Sequence, residues 1–317
     1  MATFIARRLL QSVVVVFGIS AVVFFIMHAV PGGPLAAYRD EPGMTAAALR
    51  GIARQLGVNQ PVWVQYVDWL KNAVQGNFGY SYTYGVPAIR LMWERLPATA
   101  ELMLSSFAIA VVASFVLGVS SAVRHYSWWD YLVTLVSYVG ISMPTFALGI
   151  LALIVFAVEL HWFPSGGIAS TNAPFSLGNR LWHLALPAMV LALYSLAGES
   201  RYVRASTLEV LGSDYIRTAR AKGLAERTVI YRHAARTALL PVVTILVLDL
   251  AYLFGGTLVT EQIFAWPGMG RLFFNAVMQG DYPVMMVILS FLSVLIVLSG
   301  VVADVLYAVL DPRIRYS

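Results

Sequence analysis

The sequence predicts an all-α integral membrane protein with six transmembrane helices, both termini in the cytoplasm, and a small helical external segment between helices 1 and 2. Of the 317 residues, 59% are apolar and only 12% are charged, whereas an ordinary soluble domain has about 25% charged residues. The apolar residues lie in long blocks, and a helix needs roughly 20 of them to cross about 30 Å of hydrocarbon. Basic residues are concentrated between alternate blocks, as in cytoplasmic loops.

Six blocks are long enough to be predicted spans. In chain order they are residues 9–30, 98–123, 131–158, 184–199, 238–260 and 283–308. The fourth is short and can be extended through Arg201–Leu211. The segments between and around them are a cytoplasmic N-terminus at 1–8, an external segment at 31–97, a cytoplasmic loop at 200–237 and a cytoplasmic C-terminus at 309–317.

The charges fix the predicted orientation. Arg7 and Arg8 precede the first block, which is too long for the apolar part of a cleaved signal peptide, so we expect an uncleaved first helix. The predicted cytoplasmic segments hold thirteen Lys and Arg residues, and the two short external loops hold only Arg180 and Arg271. Segment 31–97 carries six more, but long segments translocate largely regardless of charge.

The external segment has helix signals of its own. Thr45 is a suitable cap for a short helix that Gly57 would end. Pro61 can open a second helix, because its missing N–H is not needed at a helix start. We therefore expect a small ordered cap between the first two spans.

The motifs of several enzyme classes are absent. The chain has only two lysines, Lys71 and Lys222, and neither follows a glycine, so it cannot carry a Walker A phosphate loop. It has no Cys, no H-E-x-x-H and no G-x-S-x-G. We predict no catalytic residue, no metal site and no cofactor bound by this chain, and the net charge of +5 reflects cytoplasmic loops, with no nucleic acid partner.

The loop between spans four and five carries an ordered pattern. Asp214 is predicted to cap a short helix over 215–222, with Tyr215, Ile216 and Ala219 as its apolar face. Arg220 and Lys222 lie at its C-terminal end, where cations favour the helix dipole, and Gly223 suits the residue after the cap. Such a helix suits docking of a partner, and a solvated basic loop on anionic lipid is the alternative.

Two strings in this loop resemble a known signature. DYIRTARAKGL at 214–224 and YRHAARTALLP at 231–241 resemble the coupling loop of binding-protein-dependent ABC importer permeases, above all the dipeptide/oligopeptide branch. Arg217 stands where the general signature has Glu, a departure that is usual in the peptide branch, so a contact through that Glu is not carried over.

The resemblance covers essentially the whole chain. Similar motifs follow in order at 7–34, 56–70, 76–82, 94–99, 142–149, 260–272, 281–283 and 311–315. Gly33 and Asn77 stand where the family more often has Asp. The order and spacing of these strings together are specific.

The resemblance implies a type I ABC importer half in the bacterial cytoplasmic membrane. Its partners would be a second homologous permease subunit, two ATPase subunits or domains that bind ATP and Mg, and an external substrate-binding protein. The ATPase-coupling helix would comprise Asp214, Tyr215, Ile216, Arg217, Thr218, Ala219, Arg220, Lys222 and Gly223. Di- and oligopeptides are the expected substrates, with nickel complexes, glutathione or another small solute as alternatives. A membrane-embedded enzyme and a passive channel are the other classes, and copurification with an ATPase discriminates.

Four residues within the predicted spans leave two interpretations each. Asp249 either faces the pathway and attracts a cationic group, such as a peptide's N-terminal ammonium, or has a structural partner or a bound proton. Gly255 and Gly256 permit close helix approach or a local break that lines a cavity. Pro144 should kink the third span, as a hinge or as a static bend.

Overall fold

The computed structural model describes residues 2–29, 33–35, 38, 43–171 and 174–310. Its regular structure is helical: α1 (Ala2–Ala29), α2 (Ala46–Gln55), α3 (Val62–Val74), α4 (Ala88–Val123), α5 (Trp128–Ser142), α6 (Thr145–Ala152), α7 (Leu177–Leu211), α8 (Asp214–Ala221), α9 (Ala235–Ile263), α10 (Met269–Gln279) and α11 (Tyr282–Leu310). A 3-10 turn covers Gly33–Leu35, a π-helical stretch, Leu153–Glu159, continues α6, and Glu226–Thr228 and the π-helical Val229–Ala234 lead into α9. The 311–315 motif and residues 30–32, where the first predicted span ends, lie outside the described residues.

The chain divides into two compact units. One comprises residues 1–99 and 267–301, and the other comprises residues 100–266 and 302–317. The first unit holds the predicted external segment. The second unit holds the predicted cytoplasmic loop and the three helices that surround the candidate site, α5, α7 and α9.

The two expected helices of the external segment are present. The Thr45 hydroxyl accepts a hydrogen bond from the backbone N–H of Ala48 at 3.2 Å and caps α2. Gly57 ends α2 with a φ of +69°, the left-handed conformation that glycine adopts without strain. Pro61 precedes the first residue of α3.

An aromatic cluster joins α3 to α1 within the first unit. Phe24, which is 2% exposed, stacks on His28 with 4.1 Å between ring centroids. Tyr66 of α3 lies 5.4 Å from the Phe24 ring, and its hydroxyl is 2.9 Å from that of Ser20. The external segment is therefore packed onto the first helix.

Four helices are long and apolar enough to cross a membrane among the described residues: Leu10–Ala29 within α1, all of α4, all of α7, and Tyr282–Leu306 within α11. A fifth candidate span is a bent pair, α5 together with the helix over 145–159. The fourth apolar block lies within α7, which has 35 residues and continues through Arg201–Leu211.

The predicted kink at Pro144 is a break. The helix axes on its two sides differ by 109°. Met143 has an extended backbone, φ −89° and ψ 130°, because proline disfavours the helical conformation of the residue before it. A new helix starts at Thr145.

Small residues let the helices of the second unit approach closely. A Cβ added at Gly118 of α4 would lie 2.6 Å from the Cβ of Val203 and 2.8 Å from the backbone oxygen of Ser200. A Cβ at Gly140 of α5 would lie 2.9 Å from the Cβ of Ala197. All three of these neighbours belong to α7, so glycine is required where α4 and α5 contact this helix.

Candidate functional site

Helix α8 is docked by one apolar face. Ile216, whose side chain is 0% exposed, and Ala219 are buried against Val229 and Ala234 of the π-helical stretch. Residues three apart lie on the same side of a helix. The contact therefore fixes the helix to the chain that leads into α9.

The start of α8 differs from the prediction. Ser213 occupies the N-cap position without a side-chain cap hydrogen bond, and Asp214 is the first helical residue. The Asp214 carboxylate instead lies 3.1 Å from Arg217 in an exposed ion pair. Tyr215 was expected on the apolar face, but it is 45% exposed, because a rotation of about 100° per residue carries it off the Ile216 face.

The end of α8 is as predicted. Gly223 has a φ of +78°. Its N–H donates to the Arg220 carbonyl at 2.9 Å, and the N–H of Leu224 donates to the Ala219 carbonyl at 3.4 Å. These two bonds form a Schellman motif, which satisfies carbonyls that the helix end would leave open.

An exposed ion pair closes the turn after α8. Nη2 of Arg220 lies 2.7 Å from Oε1 of Glu226. The hydrogen bond from Arg220 lowers the pKa of Glu226 below its ordinary value. The same bond raises the pKa of Arg220.

The outer face of α8 is basic and accessible. Its exposed side chains include Arg217, Thr218, Arg220 and Lys222, in addition to Tyr215. The helix therefore presents one face to its own chain, while its second face, with an aromatic ring among the charges, is exposed.

A cavity of about 870 Å³ lies in the second unit. It is bordered by the α5–α6 break, α7 and α9, and it brings together Pro144, Asp249, Gly255 and Gly256. Its other lining residues are Ile141, Ser142, Met143, Thr145, Leu191, Tyr194, Ser195, Gly198, Glu199, Tyr202, Ile245 and Leu253.

The two glycines of α9 differ in their surroundings. A Cβ at Gly256 would lie 2.9 Å from Cδ1 of Leu191 on α7, so the two helices approach closely there. No heavy atom lies within 4 Å of the corresponding position at Gly255. Helix α9 runs through both positions without a break.

Glu199 is a cavity residue that the sequence analysis missed. Its side chain is 1% exposed, and within the described part of the chain neither carboxylate oxygen has a hydrogen-bond partner. The Ser114 hydroxyl approaches it but donates to the Val111 carbonyl at 3.1 Å. In the sequence, Glu199 stands at the end of the fourth apolar block, and the helix continues beyond it to Leu211.

The C-terminal half of α7 is fixed by a buried ion pair. Nε and Nη2 of Arg204 each lie 2.7 Å from an oxygen of Asp130, which is 3% exposed. Asp130 also accepts hydrogen bonds from the hydroxyl of Ser121 and from the backbone N–H of Tyr126 at 2.9 Å. The helix that leads to α8 is thereby held to the α4–α5 connection.

In the first unit, Asp281 fastens a turn of the external segment. Its carboxylate is buried and accepts hydrogen bonds from the Ser81 hydroxyl and from the backbone N–H groups of Tyr82 at 3.2 Å and Thr83 at 3.3 Å. Burial, together with nearby Tyr38 and Asp281, raises the pKa of the Tyr82 hydroxyl. This motif has a structural role in the external segment.

Two family models match the chain. Residues 114–316 match the binding-protein-dependent transport system inner membrane component, and residues 1–103 match the N-terminal region of the membrane component of such systems.

Curated relatives match over the full length. The chain is 45% identical to the oligopeptide transport system permease protein AppB of Bacillus subtilis, 37% to the dipeptide transport system permease protein DppB of Alkalihalophilus pseudofirmus, and 38% to the glutathione transport system permease protein GsiC of Escherichia coli K12. Each alignment covers 100% of both chains.

A solved structure shares the fold. A chain of the MetNI methionine ABC transporter in an inward-facing conformation aligns with a TM-score of 0.58 and 18% identity. The alignment covers 70% of this chain and 97% of that chain.

Proposed function

The chain belongs to the binding-protein-dependent transport system inner membrane components, and from this premise we propose that it forms half of the translocation pathway of an ATP-driven peptide importer. It is a multi-pass permease of the inner membrane. The observation that carries the proposal is a docked helix, α8, with an exposed basic face at the position of the family's coupling loop.

We infer that α8 and Gly223 transmit motion from an ATPase. A helix closed by a Schellman motif and held by Ile216 moves as a rigid body. Tyr215 and the basic side chains would contact the partner. ATP and Mg would bind to the ATPase subunits.

The cavity is our candidate for this subunit's share of the pathway. Asp249, Gly255 and Gly256 line it from α9, and Pro144 lines it at the helix break. A break of 109° gives two short helical arms joined by a few dihedral angles. We propose Pro144 as the hinge at which the cavity changes shape between the inward-facing and outward-facing states.

We propose that the chain crosses the membrane six times, with both termini in the cytoplasm. Helix α9 would be the sixth candidate, in addition to the four long helices and the bent pair. It has 29 residues, about 44 Å at 1.5 Å per residue, and only Arg236, Asp249 and Glu261 are charged. The distribution of Lys and Arg supports the orientation.

Peptides are the proposed substrate class, because relatives named for oligopeptide and dipeptide transport align over the whole chain. Glutathione is the second candidate, favoured by the GsiC relative. The external binding protein would deliver the substrate, and a second homologous permease would complete the pathway.

The experiment is purification of the tagged chain, with its partner subunits, in mild detergent. Ile216→Asp should undock α8 and lower the ratio of ATPase to permease at least two-fold, while the second permease still copurifies. The control is Val74→Asp on external helix α3, where the side chain is 74% exposed and the same charge should change nothing. A wild-type chain that carries no ATPase, or an unchanged ratio in Ile216→Asp, would overturn the proposal.

A further inference from the structure

We propose that Glu199 and Asp249 together form a cation-binding site in the cavity of the second unit, and that its ligand is the ammonium group of the transported substrate. The inference rests on the proposed function for the identity of the substrate. The site itself rests on the geometry of two carboxylates on facing helices, Glu199 on α7 and Asp249 on α9.

Glu199 has no compensation for its burial within the described part of the protein. Its side chain is 1% exposed and both oxygens lack a hydrogen-bond partner. A buried, unpaired carboxylate is strongly disfavoured, and the group must gain either a proton or a positive partner. Because Glu199 lines the cavity, the partner can be supplied from there.

The carboxylate of Asp249 is a second negative group that can contact the same ammonium ligand. It lines the same cavity as Glu199. Repulsion between like charges is strong where water is scarce. A single cation between the two groups replaces this repulsion by two attractions.

The neighbouring basic residues of α7 are already engaged. Arg204 forms the ion pair with Asp130. Arg201 lies over the Tyr138 ring, with its guanidinium carbon 4.7 Å from the centroid. The described lining of the cavity contains no Lys, Arg or His. The negative site is thus left for a cation from outside the chain.

The remaining lining suits an organic cation. Tyr194 and Tyr202 are among the lining residues, and aromatic rings attract ammonium groups. Ser142 and Ser195 supply hydroxyl groups. The volume of about 870 Å³ is within the range of roughly 300–1,000 Å³ of small-molecule sites. Among the described residues, no group of three or more potential metal ligands is present, which favours an organic cation over a metal ion.

The test measures modification of Glu199 by dicyclohexylcarbodiimide in the purified complex, followed by mass spectrometry. This reagent attacks the protonated carboxyl group, so a bound cation, which favours the ionised form, slows the reaction. The probes are trimethylammonium and tert-butanol, which have a similar shape and differ in charge. We expect at least a three-fold slower reaction with trimethylammonium, no change with tert-butanol, and loss of the protection in Asp249→Asn.

A second arm measures ATP-driven uptake of trialanine by the complex with its binding protein in proteoliposomes. We expect Glu199→Gln and Asp249→Asn to lower uptake at least ten-fold with the complex intact. Glu209→Gln, the same substitution at an exposed position of α7, should transport at the wild-type rate.

The two arms separate the two hypotheses. Equal modification of Glu199 with both probes, or normal uptake by Glu199→Gln and Asp249→Asn, would overturn the cation site. Protection of Glu199 in a wild-type complex that hydrolyses ATP but takes up no trialanine would support the cation site and contradict peptide import.

Discussion

At the scale of single residues, the ion pair between Asp130 and Arg204 joins α7 to a buried carboxylate. Asp130 is buried and accepts two hydrogen bonds from the guanidinium group in addition to those from Ser121 and Tyr126. Removing one partner of a buried pair leaves the other charge uncompensated, which costs more than the pair itself contributes.

Asp130→Asn should therefore lower the free energy of unfolding by about 3 kcal/mol, at the lower end of the range for a broken buried pair because Arg204 keeps partial contact with solvent. The control is Asp68→Asn, which removes an exposed pair with Lys71 at 3.4 Å and should change stability by less than about 1 kcal/mol. The measurement is denaturant unfolding of both variants in detergent. Equal stability of the two variants would contradict the assignment.

Glu226 is expected to make the stability of the turn after α8 depend on pH. Its pKa in the folded protein lies below the ordinary value of 4.5 because Arg220 donates hydrogen bonds to it. The stabilisation is therefore fully present above about pH 4.5 and is lost as the pH falls through the lower folded pKa. Hydrogen exchange of the amides of residues 214–224, corrected for the intrinsic rate, should accelerate over this window.

Glu226→Gln is the control for this dependence. It removes the titrating group, so its loop should exchange at the faster rate already at pH 7 and show no further acceleration below pH 4.5. Added salt should weaken the same exposed pair in the wild type. The prediction would be contradicted if the wild-type loop had the same corrected exchange rate at pH 7 and below pH 4.5.

At the scale of elements, the coupling role that we propose for α8 depends on the rigidity of this helix. Its C-terminal end depends on the φ of +78° at Gly223, where no heavy atom lies within 4 Å of an added Cβ. A substitution there is thus opposed by the backbone conformation alone, by about 1–2 kcal/mol. The result is a frayed helix end, which cannot pass on a rigid-body motion.

Gly223→Val is expected to lower transport per ATP hydrolysed several-fold without lowering the yield of the complex. Gly212→Val is the matched control, since Gly212 at the end of α7 has a φ of −79°, which every residue adopts. Both are measured as the ratio of substrate uptake to phosphate release in proteoliposomes. Normal coupling in Gly223→Val would mean that the turn after α8 does not transmit motion.

The geometry of the break between α5 and α6 depends on neighbouring helices as well as on Pro144. Pro144 predicts a kink by removing a helical hydrogen bond. In the structure, the break of 109° occurs together with the extended backbone at Met143 and the close contact of Gly140 with α7. Proline alone does not specify these contacts.

At the scale of the whole molecule, the orientation in the membrane is a prediction that the composition makes easy to test. The chain has no Cys, so single cysteines can be introduced without a background of native thiols. Gln60 on the external segment and Ala225 after α8 are both exposed. Six spans with the N-terminus inside place them on opposite sides of the membrane.

In intact spheroplasts, a membrane-impermeant maleimide should label Gln60→Cys and leave Ala225→Cys unlabelled. After the membrane is permeabilised, both should react. Labelling of Ala225→Cys in sealed spheroplasts would contradict the topology, because a residue of the coupling loop must face the ATPases.

The apolar blocks, the helix-ending glycines and the family were readable from the sequence because each depends on local chemistry. As predicted, Thr45 caps the start of α2, Gly57 ends α2, and Gly223 ends α8. Arg201 and Arg204 were harder to interpret, because their charge looks like the end of a span until their partners Tyr138 and Asp130 are known.

The sequence by itself determined the membrane environment, the helical elements and the coupling-loop motif, since hydropathy, caps and turn residues act over a few neighbouring positions. Only the tertiary structure decided which side chains meet. In the structure, Asp249 and Pro144 line one cavity, and Gly256 but not Gly255 lies close to α7. The Tyr215 side chain is exposed. Glu199 is a buried acid whose carboxylate oxygens have no hydrogen-bond partner within the described part of the chain. These properties depend on which face of a helix packs against another, and that is settled by contacts between residues far apart in the chain.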